Sequence, residues 1–234
     1  MGTRRAATII AAGVLLVAAA GCVTAPAPPA EGGSMTNDAR LHDAAGAGDV
    51  GAIRELLGAG LPIDARDTDG RTPVMVATVA RQTEAVRALV EAGADVDIRD
   101  NRLDNVFLYA GANGLLDILR IANEAGADPA ITNRFGGIAL IPASERGHVE
   151  VVRYLLAESD VDVDHVNRLG WTALLEAIIL SDGGPAHQEI VRLLLDAGAD
   201  PDLADGDGVT PLAHARSRGY DEIAALLVAA GAEG

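Results

Sequence analysis

The apolar positions of this chain fall into short runs at helical spacing, and the runs come in pairs. In Glu84-Ala85-Val86-Arg87-Ala88-Leu89-Val90 the apolar residues recur at i, i+3 and i+4, which predicts an amphipathic helix. A shorter apolar segment, Val74 to Ala80, precedes it and is introduced by Thr72-Pro73. Threonine is suited to capping a helix N-terminus, and proline fits the first helical position, where a missing N–H costs nothing. Gly93 follows the second helix and is suited to ending it in the left-handed conformation. An Asp-rich stretch then turns toward the next pair. Near the C-terminus the same order returns, with Thr210-Pro211, a short helix over Leu212 to Arg216, a second helix and Gly231.

The pattern has a period. From Gly60 to Gly93, Gly93 to Gly126 and Gly198 to Gly231 the step is 33 residues each time. The phrases Gly93-Ala94-Asp95-Val96-Asp97, Gly126-Ala127-Asp128-Pro129 and Gly198-Ala199-Asp200-Pro201-Asp202 recur at that step. Gly70-Arg71-Thr72-Pro73 and Gly208-Val209-Thr210-Pro211 form a second phrase, with Gly170-Trp171-Thr172-Ala173 a near match. Period and phrases together resemble the ankyrin repeat over roughly residues 38–232. The expected fold is all-α, a solenoid of about six helix-turn-helix units with β-turn-like tips. No unit buries its apolar face alone, so neighbours must stack to do so. The first unit lacks a preceding Gly-x-Thr-Pro and reads as a terminal cap. The third departs most, with Asn105-Val106-Phe107-Leu108 in place of the Thr-Pro phrase and Asn123 where an apolar residue is usual. The fifth carries about five extra residues between its helices, around Ser181 to Ala186.

The resemblance ends before the N-terminus. Arg4 and Arg5 precede an apolar run from Ala6 to Ala20, 15 residues that are too few to span a bilayer comfortably. The run ends in Ala19-Ala20-Gly21-Cys22, which resembles the lipobox of exported bacterial lipoproteins, although Ala19 stands where Leu is usual. That resemblance implies a signal peptide over 1–21, lipidation at Cys22 and a chain held at the cell envelope. An ordinary secretory signal with an incidental Cys, and translation from Met35, are the alternatives. Cys22 is the only cysteine, so no intramolecular disulfide forms. Residues 22–37 are rich in Pro, Gly and Ser and read as a tether to a repeat domain over 38–232.

Composition narrows the partner. The formal net charge is −16, and all 18 basic residues are Arg. A negative balance of that size opposes binding to phosphate backbones, which relies on Lys and Arg releasing counterions. Nucleic acid is excluded as a partner, and a basic protein is favoured. No nucleophile elbow, phosphate loop or dinucleotide fingerprint is present, and no cofactor is expected. The five histidines show no metal-ligand spacing. Asp160-Val161-Asp162-Val163-Asp164 and Asp205-Gly206-Asp207-Gly208 lack the full ligand set of a calcium loop, and they stand where each unit turns. The expected chain is a non-enzyme with no metal.

The sharper signal lies in the turn tips. Aligned by their glycines they read Asp67-Thr68-Asp69-Gly70, Asp100-Asn101-Arg102-Leu103, Asn133-Arg134-Phe135-Gly136, Asn167-Arg168-Leu169-Gly170 and Asp205-Gly206-Asp207-Gly208. The outer tips are acidic, whereas the central three carry Arg and an apolar side chain, and Trp171, the sole tryptophan, follows the fourth. Arg and Trp are enriched at binding hot spots. Arg102, Arg134, Phe135, Arg168, Leu169 and Trp171 are therefore the candidate partner-binding residues. The competing reading packs Phe135, Leu169 and Trp171 together as a minor core. The resemblance to exported ankyrin-repeat proteins implies an adaptor or inhibitor of an envelope or secreted protein. A structural or stress-protective envelope component, and an enzyme with its site near the insertion of the fifth unit, are the alternatives.

Overall fold

A computed structural model of the chain describes residues 33–233. The expected signal segment, Cys22 and residues 23–32 lie outside the described residues. Helical backbone begins at Gly33, so residues 33–37, expected as the end of the tether, belong to the first helix.

Every element among the described residues is a helix, and the helices come in six pairs. The pairs are α1(Gly33–Ala47) with α2(Val50–Gly58), α3(Pro73–Val79) with α4(Thr83–Glu91), and α5(Val106–Ala112) with α6(Leu116–Glu124). They continue as α7(Leu140–Glu145) with α8(Val149–Glu158), α9(Ala173–Ile179) with α10(Pro185–Asp196), and α11(Pro211–Arg218) with α12(Asp221–Ala229). The odd-numbered helices stack on one another in one row and the even-numbered helices in a second. A single core runs along the seam between the rows.

Small residues set the spacing of the first row. Ala77, Ala110, Ala143, Ala177 and Ala215 hold the same register in five successive helices, and each is fully buried. Larger apolar side chains fill equivalent positions of the second row, with Val86, Leu119, Val152 and Val191 all inaccessible to solvent. Burying such side chains stabilises a fold by about 1.5–3 kcal/mol each, and here most of that gain comes from contacts between neighbouring pairs.

Helix ends follow the sequence chemistry, with substitutes where a phrase is missing. Thr72, Thr172 and Thr210 cap α3, α9 and α11 through their hydroxyls, accepting the N–H groups of Met75, Leu175 and Ala213. In the divergent third unit Asn105 does the same for α5, its Oδ1 accepting from the Leu108 N–H at 2.8 Å. The fourth unit has no glycine after α8. There Asn123 of the preceding unit donates to the Glu158 carbonyl at 2.8 Å, and the Ser159 hydroxyl donates to that of Leu155 at 2.6 Å. The polar Asn123 thus satisfies a helix end that lacks its glycine. The extra residues of the fifth unit divide between the 180–184 loop and a longer helix α10, which Gly184 and Pro185 begin. Tyr220 ties that loop down by donating its hydroxyl to the Ser181 carbonyl at 2.7 Å.

Candidate functional site

Each tip is built around one Asp or Asn. Asp67 Oδ1 accepts the N–H groups of Asp69 and Arg71, and Asp100 Oδ1 those of Arg102 and Asp104. Asn133 holds Phe135 and Gly137 in the same way, Asn167 holds Leu169 and Trp171, and Asp205 holds Asp207 and Val209. An acceptor at the first position of a turn is what Asp and Asn supply. The fourth position needs a left-handed backbone, and glycine provides it at Gly70, Gly136, Gly170 and Gly208. In the second tip Leu103 takes that conformation, at φ 65°.

Neighbouring tips are joined. The Arg168 N–H donates to the Phe135 carbonyl at 2.9 Å, and its guanidinium donates to the Arg134 carbonyl at 2.9 Å. Arg66 bonds the Arg99 carbonyl, and Arg99 that of Thr132, in the same one-repeat step. The first tip is less acidic than its residues imply, because Arg71 pairs with both Asp67 and Asp69 at 2.8 and 2.9 Å.

Tips two to four, with α5, α7 and α9, enclose a pocket of about 380 Å³. Arg102, Arg134 and Arg146 line it beside Asp104, Glu145 and Glu176. Tyr109, Phe135, Leu169 and Leu180 supply its apolar surface, and Asn133 and Asn167 face it from the tips. The Arg134 guanidinium lies over the Phe135 ring, 4.5 Å from its centroid. Phe135 is 51% exposed, Leu169 57% and Leu180 49%, so the pocket opens through an apolar rim. Among the described residues none of the three arginines makes an ion pair. Arg146 donates to the Ala112 carbonyl.

Burial shapes the acids of this pocket. Glu176 is 6% exposed and its carboxylate accepts from the Asn167 amide at 2.7 Å. Loss of solvent, reinforced by the Glu145 charge and opposed by the Asn167 bond, raises its pKa from 4.5 to about 7. Asp104 is raised by burial and by Asp100, against the pull of Arg102, Arg134 and Arg146. In the fifth tip the polarity is reversed. His214 bonds Asp205 at 2.7 Å, and backbone N–H donors and that histidine lower the Asp205 pKa.

The structure thus brings Arg102, Arg134, Phe135 and Leu169 together on one pocket. It places Arg168 and Trp171 elsewhere. Arg168 spans tips three and four, and Trp171 is a half-buried residue whose backbone closes tip four through Asn167. Phe135 and Leu169 stand too exposed for the minor core considered as the alternative. Arg146, Tyr109, Glu145, Glu176 and Leu180 also line the pocket, and the tip alignment passes over them. Glu176 left a signal, an acid inside the apolar run Ala173–Ile179. The remaining polar candidates have structural partners. His42, His165 and His187 bond the carbonyls of Arg71, Gly136 and Glu145, and His148 bonds that of Ala112 in the preceding unit. Asp162 Oδ1 accepts the Asp164 N–H, and Asp164 accepts that of Asp200.

The repeat is shared with known proteins. A sequence model of the family "Ankyrin repeats (3 copies)" matches residues 18–100 and 106–205. YahD of Escherichia coli (strain K12), an ankyrin repeat protein by name, is 46% identical over 189 residues, 81% of this chain and 94% of that protein. The crystal structure of an ankyrin repeat domain from Acinetobacter baumannii AYE is 58% identical with a TM-score of 0.81, over 82% of this chain and 98% of that one. The ankyrin repeat protein EF0377 is 37% identical with a TM-score of 0.79, over 82% and 97%. With the two helix rows and the repeated tips, these matches make the chain a member of the ankyrin-repeat family, whose arrays are protein–protein interaction modules.

Proposed function

We propose that this array recognises a protein through the pocket of tips two to four and the apolar rim around it. In this reading the chain is an exported, lipid-anchored adaptor or inhibitor of an envelope or secreted protein. The observation that supports recognition is a convergence. Of the six large apolar side chains exposed among the described residues, five (Leu103, Phe135, Val166, Leu169 and Leu180) fall between tip two and the cap of α9, and the sixth, Val228, lies on α12. Three of them share a pocket with three arginines. Exposed apolar groups beside guanidiniums are the composition of an interface centre. The net charge of −16 favours a partner that is basic overall, drawn in by long-range attraction. Export rests on Arg4-Arg5, the 15-residue apolar run and Ala19-Ala20-Gly21-Cys22.

The test is a crosslinking pull-down from the native envelope, followed by binding isotherms and melting curves for variants against the recovered protein. Phe135→Ala weakens binding by about 2 kcal/mol or more with a small change in melting. Melting that falls while affinity holds removes the tip surface from the site. Separately, Cys22→Ser moves the protein from the detergent to the aqueous phase in a detergent partition, because a lipoprotein cysteine carries several acyl chains. Unchanged partitioning removes the anchor.

A further inference from the structure

We propose that the pocket between tips two and four takes the carboxylate of an acidic side chain, carried on an apolar-flanked segment of the partner protein, among the Arg102, Arg134 and Arg146 guanidiniums. This rests on the reading of the tips as the partner surface and adds the chemistry of its anchor. The pocket's local charge opposes that of the whole chain. Three of the 18 arginines in a protein of net charge −16 gather around one opening, and none of the three spends its charge in an ion pair among the described residues. Elsewhere arginines do pair, as Arg71 with Asp67 and Asp69, Arg153 with Glu189, and Arg192 with Glu189.

Three carboxylates also line the pocket, and they decide the shape of the occupant. Glu176 is nearly inaccessible and already accepts the Asn167 amide, so it forms the floor. Burial raises the Glu176 pKa to about 7, so below neutral pH the three guanidiniums face two remaining acids, Asp104 and Glu145, and the balance of the opening is cationic. At the rim Phe135, Leu169 and Leu180 present apolar surface to whatever flanks the charge. A carboxylate satisfies the guanidinium donors, which match its planar geometry, and apolar neighbours cover the rim. A phosphodiester chain would meet the same arginines, but the field of the whole molecule repels it.

The experiment titrates the full-length protein at pH 6 with acetyl-Ala-Leu-Glu-Leu-Ala-amide and with its glutamine twin. The fluorescence of Trp171, the one tryptophan, reads binding. Its backbone is bonded to Asn167, which lines the pocket. The Glu peptide gives a saturable change, and the Gln twin binds roughly tenfold more weakly, the loss of one charge-assisted bond. Arg102→Met and Arg134→Met, which keep the stem and remove the charge, weaken the Glu peptide to the level of the twin, while Arg54→Met on α2 leaves it unchanged. Two variants guard against a local disturbance of the Arg134–Phe135 stack. Equal affinity for the two peptides, full affinity in both pocket variants, or no saturable change with either peptide overturns the proposal. If the natural partner is lost on Phe135→Ala but retained by both Arg→Met variants, recognition at the tips stands and the carboxylate anchor fails. If all of these variants retain it, both readings fall.

Discussion

Replacing Glu176 by Gln stabilises this protein, and the gain grows with pH. The carboxyl is 6% exposed, and its pKa is raised from 4.5 to about 7 by loss of solvent and by Glu145. An acid whose folded pKa lies above its unfolded value destabilises the fold whenever it is ionised. From this group, stability is highest below pH 4.5, declines as pH rises toward 7, and stays reduced above it. Each pH unit between the two values is worth about 1.4 kcal/mol, so ionised Glu176 costs up to about 3 kcal/mol. Glutamine keeps an acceptor for the Asn167 amide, which now sits 2.7 Å from Glu176 Oε1, and never ionises. Urea unfolding of both proteins at pH 4.5, 6 and 8 measures the difference. The two curves nearly coincide at the lowest pH, and at pH 8 the variant midpoint is higher by on the order of 1 M. Groups that move the other way, such as Asp67 and Asp205 with their lowered pKa values, act equally in both proteins and cancel. A difference that does not change with pH, or a variant less stable at pH 8, refutes the assignment of a buried, penalised carboxylate.

Other substitutions probe other parts of the fold. Ser144 is fully buried on α7 with no hydrogen-bond partner for its hydroxyl among the described residues, so Ser144→Ala raises stability by about 1 kcal/mol in the same urea assay. Leu103 holds a left-handed backbone at φ 65° that glycine takes in the other tips, and Leu103→Gly raises the melting midpoint, by roughly 0.5–1 kcal/mol in stability. Gly111 lies inside α5, where alanine is the better helix former, yet an added Cβ would stand 2.9 Å from Ala139 Cβ. Gly111→Ala therefore lowers stability by about 1–3 kcal/mol, and Ala139→Gly in the same chain recovers most of the loss when the double-mutant cycle is measured by denaturation.

The period of 33 residues, the paired apolar runs and the Thr-Pro starts determined the helix pairs, because each signal is local or repeats along the chain. Thr72 and Thr210 cap α3 and α11 as their types imply, and Gly93 and Gly198 end their helices at positive φ. The aligned tips also pointed to Arg102, Arg134, Phe135 and Leu169, since a fixed repeat step puts equivalent residues side by side. What stands behind the tips was not legible in that alignment. Arg146 caps the end of α7 and Glu176 lies on α9, and only stacking of α5, α7 and α9 turns them to the same opening. Asn123 looked like a fault in an apolar pattern until the next unit supplied the Glu158 carbonyl. Arg168 had the composition of a hot spot, but the adjacent tip engages its guanidinium. A repeat sequence encodes each unit's own turns and helices, whose contacts lie within a few residues. Whether a charge is spent on the neighbouring unit or left facing a pocket depends on contacts about 33 residues apart, and these exist only after the units stack.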